Sequence, residues 1–245
     1  YSISVNRNLF LKNSFSDTIK NRIIESELSK NKSYLYSDLP YYFFKYFLED
    51  KHKVTLDKLL KKIILNKVGA NFTTYNPLEL FTANKIVPSE IDNYFRKDTL
   101  VGYVHDMGAA MQGGIGGHAG LFSNSNDVAK IMQMYLLNGK YGSKTFFSKS
   151  TIDYFNTCYY CEDGNRRGLG FDKPQIDDSS PTCGCVPMSS FGHSGFTGTY
   201  VWGDPENQII YVFLSNRTFP SMNNNKLSDN NIRTEIQRII YDSLK

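Results

Sequence analysis

The stretch SSFGHSGFTGTYVWGDPENQIIYVFLSNR (residues 189–217) sets a histidine among glycine, serine and threonine, then follows it with two strands' worth of aromatic and β-branched residues. Gly192 and Gly195 leave the backbone on either side of His193 without side chains, so a ligand can approach the chain closely. A lone strand histidine is ordinarily a satisfied structural residue. One placed between Gly192 and Ser194-Gly195, ahead of Thr197-Gly198, reads as part of a site. A second group of candidates, Tyr36-Ser37-Asp38, stands at the entry of a strongly apolar segment. A third is the loop GGHAGLFSNSND (residues 116–127), where His118 is either a loop anchor or a substrate contact. His105 and Asp106 could form an acid–base pair, although structural hydrogen bonding is the better account. Arg166 and Arg167 read as solvated or paired, with an acidic substrate group as the alternative.

The cysteines are an independent signal. Cys158 and Cys161 form one close pair, Cys183 and Cys185 another. Four thiolates in two knuckles suit a tetrahedral, closed and therefore structural zinc site. Disulfides are the rival reading. Cys183 and Cys185 are too close in sequence for an unstrained bond, so the disulfide reading expects pairing across the two knuckles. Zinc is the expectation carried forward.

Helices and strands must position these groups. SFSDTIKNRIIESEL (residues 14–28) reads as a helix with Ile19, Ile23 and Ile24 on one face. YLYSDLPYYFFKYFLED reads as a helix capped at Ser37 or Asp38, and VTLDKLLKKIILNKVGA as an amphipathic helix ended by Gly69. Residues 71–96 read as irregular covering structure. A helix capped by Ser125 or Asn126, with Met132, Tyr135 and Leu136 facing inward, stops at Gly139. A helix at 149–155 and the cysteine-bearing loop (156–188) precede the hairpin GTYVWGD and QIIYVFLSNR. The last helix, NNIRTEIQRIIYDSL, carries Ile232, Ile236, Ile239 and Ile240 on one side. Residues 36–135 are thus mainly helical and 189–245 hold the hairpin and final helix. The expected fold is α/β of the α+β type, an antiparallel sheet flanked by helices.

The 245 residues can bury a substantial core, and 40% hydrophobic with 21% charged content is ordinary for a globular chain. The net charge of +4 is dispersed; the lysines of KLLKKIILNK ring an apolar stripe, so no nucleic-acid partner is expected. No apolar run reaches the ~18 residues of a membrane span, and the first residues do not read as a basic-then-apolar leader, so Tyr1 is not expected to be the start of a precursor. The sequence does not begin with methionine, so the expectation is that its true N-terminus lies upstream of Tyr1 or was cut.

Taken in order, YSD, GGHAGLFSNSND and HSGFTG resemble the serine β-lactamase and penicillin-binding-protein superfamily, in its class C-like and esterase-like branch. GHAGLFSNSNDVAKIMQMYL and NRRGLGFDKP are similar to β-lactamase-like domains of Bacteroidetes-type bacteria, often joined to a family 3 glycoside hydrolase. The resemblance runs from about Tyr36 to the end. It implies a β-lactamase/transpeptidase-like fold, no catalytic cofactor, a cell-envelope location and a cell-wall peptide, ester or β-lactam as substrate. It also implies roles. Tyr36 matches the tyrosine of Tyr-x-Asn, which takes the nucleophile's proton, and Asp38 stands where asparagine is usual. His193-Ser194-Gly195 stands for Lys-Thr-Gly, with His193 only partly charged near neutral pH. Phe196 supplies a backbone N–H to an oxyanion hole, and Gly195 clears room for substrate along the strand.

One part of the pattern departs. The nucleophile requires Ser and Lys one helical turn apart. Ser29 and Lys32 have the spacing, in a charged stretch without apolar flanks, and read as a chance match. The expectation is that residues 1–245 are the C-terminal part of one β-lactamase-like serine hydrolase domain, incomplete at its N-terminus, with the nucleophile upstream. The missing N-terminal segment or a fused glycoside hydrolase are the expected partners. The alternative is a non-catalytic binding module that keeps the pocket.

Overall fold

The computed structural model describes residues 2–30, 34–174 and 181–244. The chain divides into two compact units, Tyr1–Ile63 with Thr74–Phe122, and Ile64–Thr73 with Ser123–Lys245.

In the first unit the polar N-terminus forms a hairpin the sequence reading did not foresee. Strand β1 (Ser2–Asn6) pairs antiparallel with β2 (Leu9–Lys12), and one register shift turns the strand between Ser4 and Asn6. Helix α1 (Phe15–Ile24) follows, shorter than its isoleucine pattern predicts and burying none of its residues. Helix α2 (Leu39–His52) has Pro40 in its first turn, where a missing N–H costs nothing. Helix α3 (Leu56–Leu60) is followed by a π-helical stretch (Lys61–Leu65), in which the first unit gives way to the second, and then by α4 (Asn66–Val68) of the second unit. Gly69, at φ +70°, ends the run as its sequence position predicts.

Residues 71–96 are not merely covering structure. Strand β3 (Pro88–Asp92) pairs antiparallel with β4 (Asp98–Val101). The loop joining them is held from inside by Arg96. Its guanidinium donates to Asp92 at 2.7 Å, to Glu90 at 3.1 Å and to two backbone carbonyls, with all three side chains essentially buried. Helix α5 (Met107–Met111) follows, capped by Asp106, whose carboxylate accepts from Ala109 N–H at 2.6 Å. Val5, Val104, Ala109 and Ala110 make the core here, with Leu9, Leu11, Phe95 and Ala119 packed against them.

In the second unit helix α6 (Ser125–Leu136) is capped one residue earlier than expected, by Asn124, whose side chain accepts from Asp127 N–H. Its buried Asp127 accepts from Phe72 N–H at 2.7 Å and pairs with Lys130 at 3.0 Å, fixing residues 64–73 to the helix. A two-residue hairpin, β5 (Lys140–Tyr141) with β6 (Lys144–Thr145), leads to α7 (Lys149–Asn156). The main sheet has three antiparallel strands in the order β7 (Phe191–Ser194), β8 (Tyr200–Asp204), β9 (Ile209–Phe213). Tyr200, Trp202 and Tyr211 form its core, with Val186, Phe213 and Ile240 against them.

A short helix α8 (Lys226–Asp229) precedes α9 (Ile232–Asp242). The isoleucine stripe on α9 is not its buried face. Ile232, Ile236 and Ile239 are exposed, while Gln237 and Tyr241 are buried and Ile240 joins the core. The reason is polar. Gln237 Oε1 accepts from Cys183 N–H at 3.0 Å and from the Tyr200 hydroxyl at 3.3 Å, and the Tyr241 hydroxyl donates to Asp204. Buried groups such as Tyr200 and Asp204 demand partners, and α9 turns toward them.

The zinc expectation fails and the rival disulfides form, but within each close pair and not across the two. Cys158 bonds Cys161 and Cys183 bonds Cys185, with Cα–Cα separations of 5.6 and 5.2 Å, inside the range a disulfide tolerates. Gly184 at φ +70° turns the backbone between the two cysteines, and their pairing overturns the expectation of bonds across the knuckles. A bonded sulfur has no thiolate for a metal, so the four cysteines do not fit zinc. Among the described residues no cluster of three or more histidine, cysteine or acidic side chains is arranged to hold a metal ion.

Candidate active site

The sequence candidates fall into the two units, Tyr36 and His118 in one, His193 in the other. In the first unit Tyr36 lies in extended chain just before α2 and is more than half exposed. Ser37 Oγ accepts from Leu39 N–H at 3.2 Å, while Asp38 takes the N-cap position without a side-chain capping bond. Both sequence-based cap positions thus contribute, one through its side chain and one through its backbone.

His118 reads in the structure as an anchor. Its ring stacks on Tyr42 at 4.5 Å, and Nε2 lies 2.9 Å from Asp106 Oδ1, with the side chain almost wholly buried. Burial first, then the Asp106 charge, push the Tyr42 hydroxyl up to about 12. Burial works to raise the Asp106 carboxyl, but the bonds from His118 and the Ala109 N–H outweigh it and bring it below the usual range. The glycines before His118 are required: a Cβ on Gly117 would stand 2.2 Å from the Tyr41 carbonyl. His105 is structural, its Nε2 3.1 Å from Glu90 Oε2 in the buried Arg96 network. Burial lowers its pKa, with Glu90 opposing.

In the second unit β7 carries His193 and Ser194, paired with Val201 and Tyr200. Gly195 and Gly198 close a tight turn, Gly195 N–H donating to the Thr199 carbonyl and Gly198 N–H to that of Gly195. Phe196 sits exposed on this turn with the Arg217 guanidinium 4.7 Å from its ring centre. Gly195 has a packing reason as well, since a Cβ there would lie 2.3 Å from Thr199 Oγ1.

Sequence reasoning read Arg166 and Arg167 as solvated or paired, but did not place them, Asp172 or Lys173 behind this strand. Asp172 extends the free side of β7 by exchanging two backbone hydrogen bonds with Gly192, at 2.8 and 3.1 Å. Its buried carboxylate lies 2.9 Å from Arg167 and 3.7 Å from Arg166, so the arginines are paired. Arg167 Nη1 also lies 2.9 Å from His193 Nε2. Lys173 is buried and donates to Asn156 Oδ1 and the Ser189 carbonyl, each at 3.1 Å, tying the end of α7 to the entry of β7. Burial lowers its amine to about 8. The segment NRRGLGFDKP held the signal: two arginines and an aspartate within one short loop.

The nucleophile candidate gains nothing. Ser29 lies in exposed, non-helical chain, and its partner Lys32 is outside the described residues.

An antiparallel sheet beside helices, with a polar glycine-rich strand beside a hydrophobic hairpin, is the architecture of the penicillin-recognising enzymes, and comparison with known proteins agrees. The Beta-lactamase family model matches residues 14–233, and the chain belongs to that family. A Salmonella enteritidis protein named "Putative D-alanyl-D-alanine carboxypeptidase" is 33% identical over 217 residues, covering 83% of this chain and 50% of the relative. The chain thus spans half the length of the curated relatives it matches. Among solved structures, a β-lactamase from Mycobacterium bovis shares the fold at a TM-score of 0.57 and 16% identity, over 86% of this chain and 64% of that one. The octameric penicillin-binding protein homologue of Pyrococcus abyssi aligns at a TM-score of 0.56 and 19% identity, over 82% and 43%.

Proposed function

We propose that this chain is the C-terminal part of a serine hydrolase that works through an acyl-enzyme on an amide, ester or β-lactam carbonyl, with a cell-wall peptide as the natural substrate class. The observation that carries the reading is His193-Ser194 at the end of β7 with Gly195 just after it, in the sheet of a Beta-lactamase family member. A serine upstream of Tyr1 attacks the carbonyl; Tyr36 and an upstream lysine take its proton, with Asp38 beside them. The Phe196 N–H stabilises the oxyanion, and the end of β7 aligns the substrate through His193 and Ser194, with Gly195 beyond them. His118 orders the glycine loop rather than touching substrate. The chemistry requires no metal or organic cofactor. The relative's name supports an envelope location, and no helix among the described residues is long and apolar enough to cross a membrane.

The binding-module reading rests on Ser29, the only serine of a Ser-x-x-Lys, lying outside any helix. Intact mass after incubation with a reactive penicillin and a fluorophosphonate separates the two. An adduct on the full-length gene product but not on residues 1–245 supports the hydrolase with an upstream nucleophile. An adduct on the short chain relocates the nucleophile to an internal serine. No adduct on either gives the lead to a binding module.

A further inference from the structure

Both ring nitrogens of His193 are engaged. Nε2 lies 2.9 Å from Arg167 Nη1, and Nδ1 lies 2.7 Å from the Ser194 carbonyl oxygen. A guanidinium can only donate and a carbonyl can only accept. One state of the ring meets both demands: a neutral imidazole with its proton on Nδ1 and its lone pair on Nε2 turned to Arg167. An imidazolium would set one N–H against another at 2.9 Å.

The guanidinium is itself built in. Arg167 Nη1 lies 2.9 Å from Asp172 Oδ1, and that carboxylate is buried with Arg166 3.7 Å from its other oxygen. Asp172 is clamped in turn by its two backbone bonds to Gly192, the residue before His193. A Cβ on Gly192 would stand 2.2 Å from both Trp202 Cε3 and the Val201 carbonyl, so β7 lies flat on β8 and its register against Asp172 is set. The chain of contacts therefore closes on itself: strand, aspartate, arginine, histidine, strand.

We propose that Arg167, aligned by Asp172, is a positioning residue that caps Nε2 of His193 and holds the ring as the neutral Nδ1–H tautomer. The positive charge at the end of β7 then belongs to the guanidinium, and His193 relays its position instead of presenting a charge of its own. The significance for substrate alignment rests on the proposed reading of β7. The hydrogen-bond assignment does not.

The test uses the ¹⁵N-histidine-labelled chain and long-range proton–nitrogen correlation at pH 7.5. The chain has four histidines, and His193→Gln identifies the signal. The expected wild-type pattern is a neutral ring protonated at Nδ1, with Nε2 at the position of a lone pair that accepts a hydrogen bond. Arg167→Met, which keeps length but donates nothing, moves Nε2 toward the position of an uncapped lone pair, and Arg167→Lys restores it. A wild-type ring protonated at Nε2, or an Nε2 signal unmoved in Arg167→Met, overturns the proposal. The wild-type spectrum alone can do so if the variant does not fold. Because no turnover is read, failure here is distinct from failure of the labelling experiment.

Discussion

At the scale of single residues, the buried Arg96 cluster shows how the first unit depends on one cation. Arg96 faces Glu90 and Asp92 where water cannot replace it. Removing the cation from a buried pair leaves carboxylates without compensation and costs about 3–5 kcal/mol. Burial works to raise the Asp92 carboxyl, but the Arg96 guanidinium and three backbone N–H groups bring it to about 2. Its folded value is depressed below the usual ~3.9, so its stabilisation is complete above about pH 4 and is lost as pH falls through about 2. Arg96→Met is therefore expected to lower stability by about 3–5 kcal/mol at pH 7 and to flatten the fall between about pH 4 and 2. Urea unfolding across that range, followed by far-UV circular dichroism, reads both effects. A variant within experimental error of wild type at pH 7 would show the cluster to be dispensable.

At the scale of elements, β7 is the piece whose placement matters most to the site, and Gly192 sets it. Gly192→Ala would drive a methyl into Trp202 and the Val201 carbonyl, and overpacking of this kind costs about 1–3 kcal/mol. The expected result is a lower melting temperature with faster amide exchange at Asp172 and Gly192, whose N–H groups bond each other's carbonyls. Unchanged exchange there would mean that β7 has room to shift. Long periodic elements were legible in the sequence: α2, α6 and the β8–β9 hairpin lie where their patterns put them. Elements held by polar contacts were not. The β1–β2 and β3–β4 hairpins are short strands whose partners are distant in sequence, as when Arg7 and Asn6 reach Asp98. The buried face of α9 escaped for the same reason, since Gln237 is chosen by Cys183 and Tyr200 and not by hydrophobic spacing. At the site, His193 and its glycines were legible because local sequence makes the strand. The placement of Arg167, Asp172 and Lys173 was not, although pairing of Arg167 was foreseen, because only the fold brings them to β7.

At the scale of the whole molecule, the first unit leaves apolar side chains exposed and the second ends its main sheet on an open edge among the described residues. On α2, Phe44 and Phe47 are 57% and 60% exposed, and Tyr41 and Phe43 are also exposed. In the other unit β9 is an edge strand of sequence IIYVF, with β8 as its one strand neighbour among the described residues. Proteins ordinarily protect such an edge with charge, proline, a bulge or a covering element, because its unpaired backbone groups template pairing with another chain. No charged residue and no proline lies between Ile209 and Phe213. The curated relatives are twice the length that this chain spans. If the segment carrying the proposed nucleophile also supplies the cover, residues 1–245 alone have a liability that the longer gene product lacks. The short chain is then expected to self-associate as its concentration rises, while the full-length product stays at one sedimentation coefficient over the same range. Sedimentation velocity on both decides it. A short chain that remains monomeric would mean that β9 and α2 are tolerated as they stand, and the cover would have to be sought in neither.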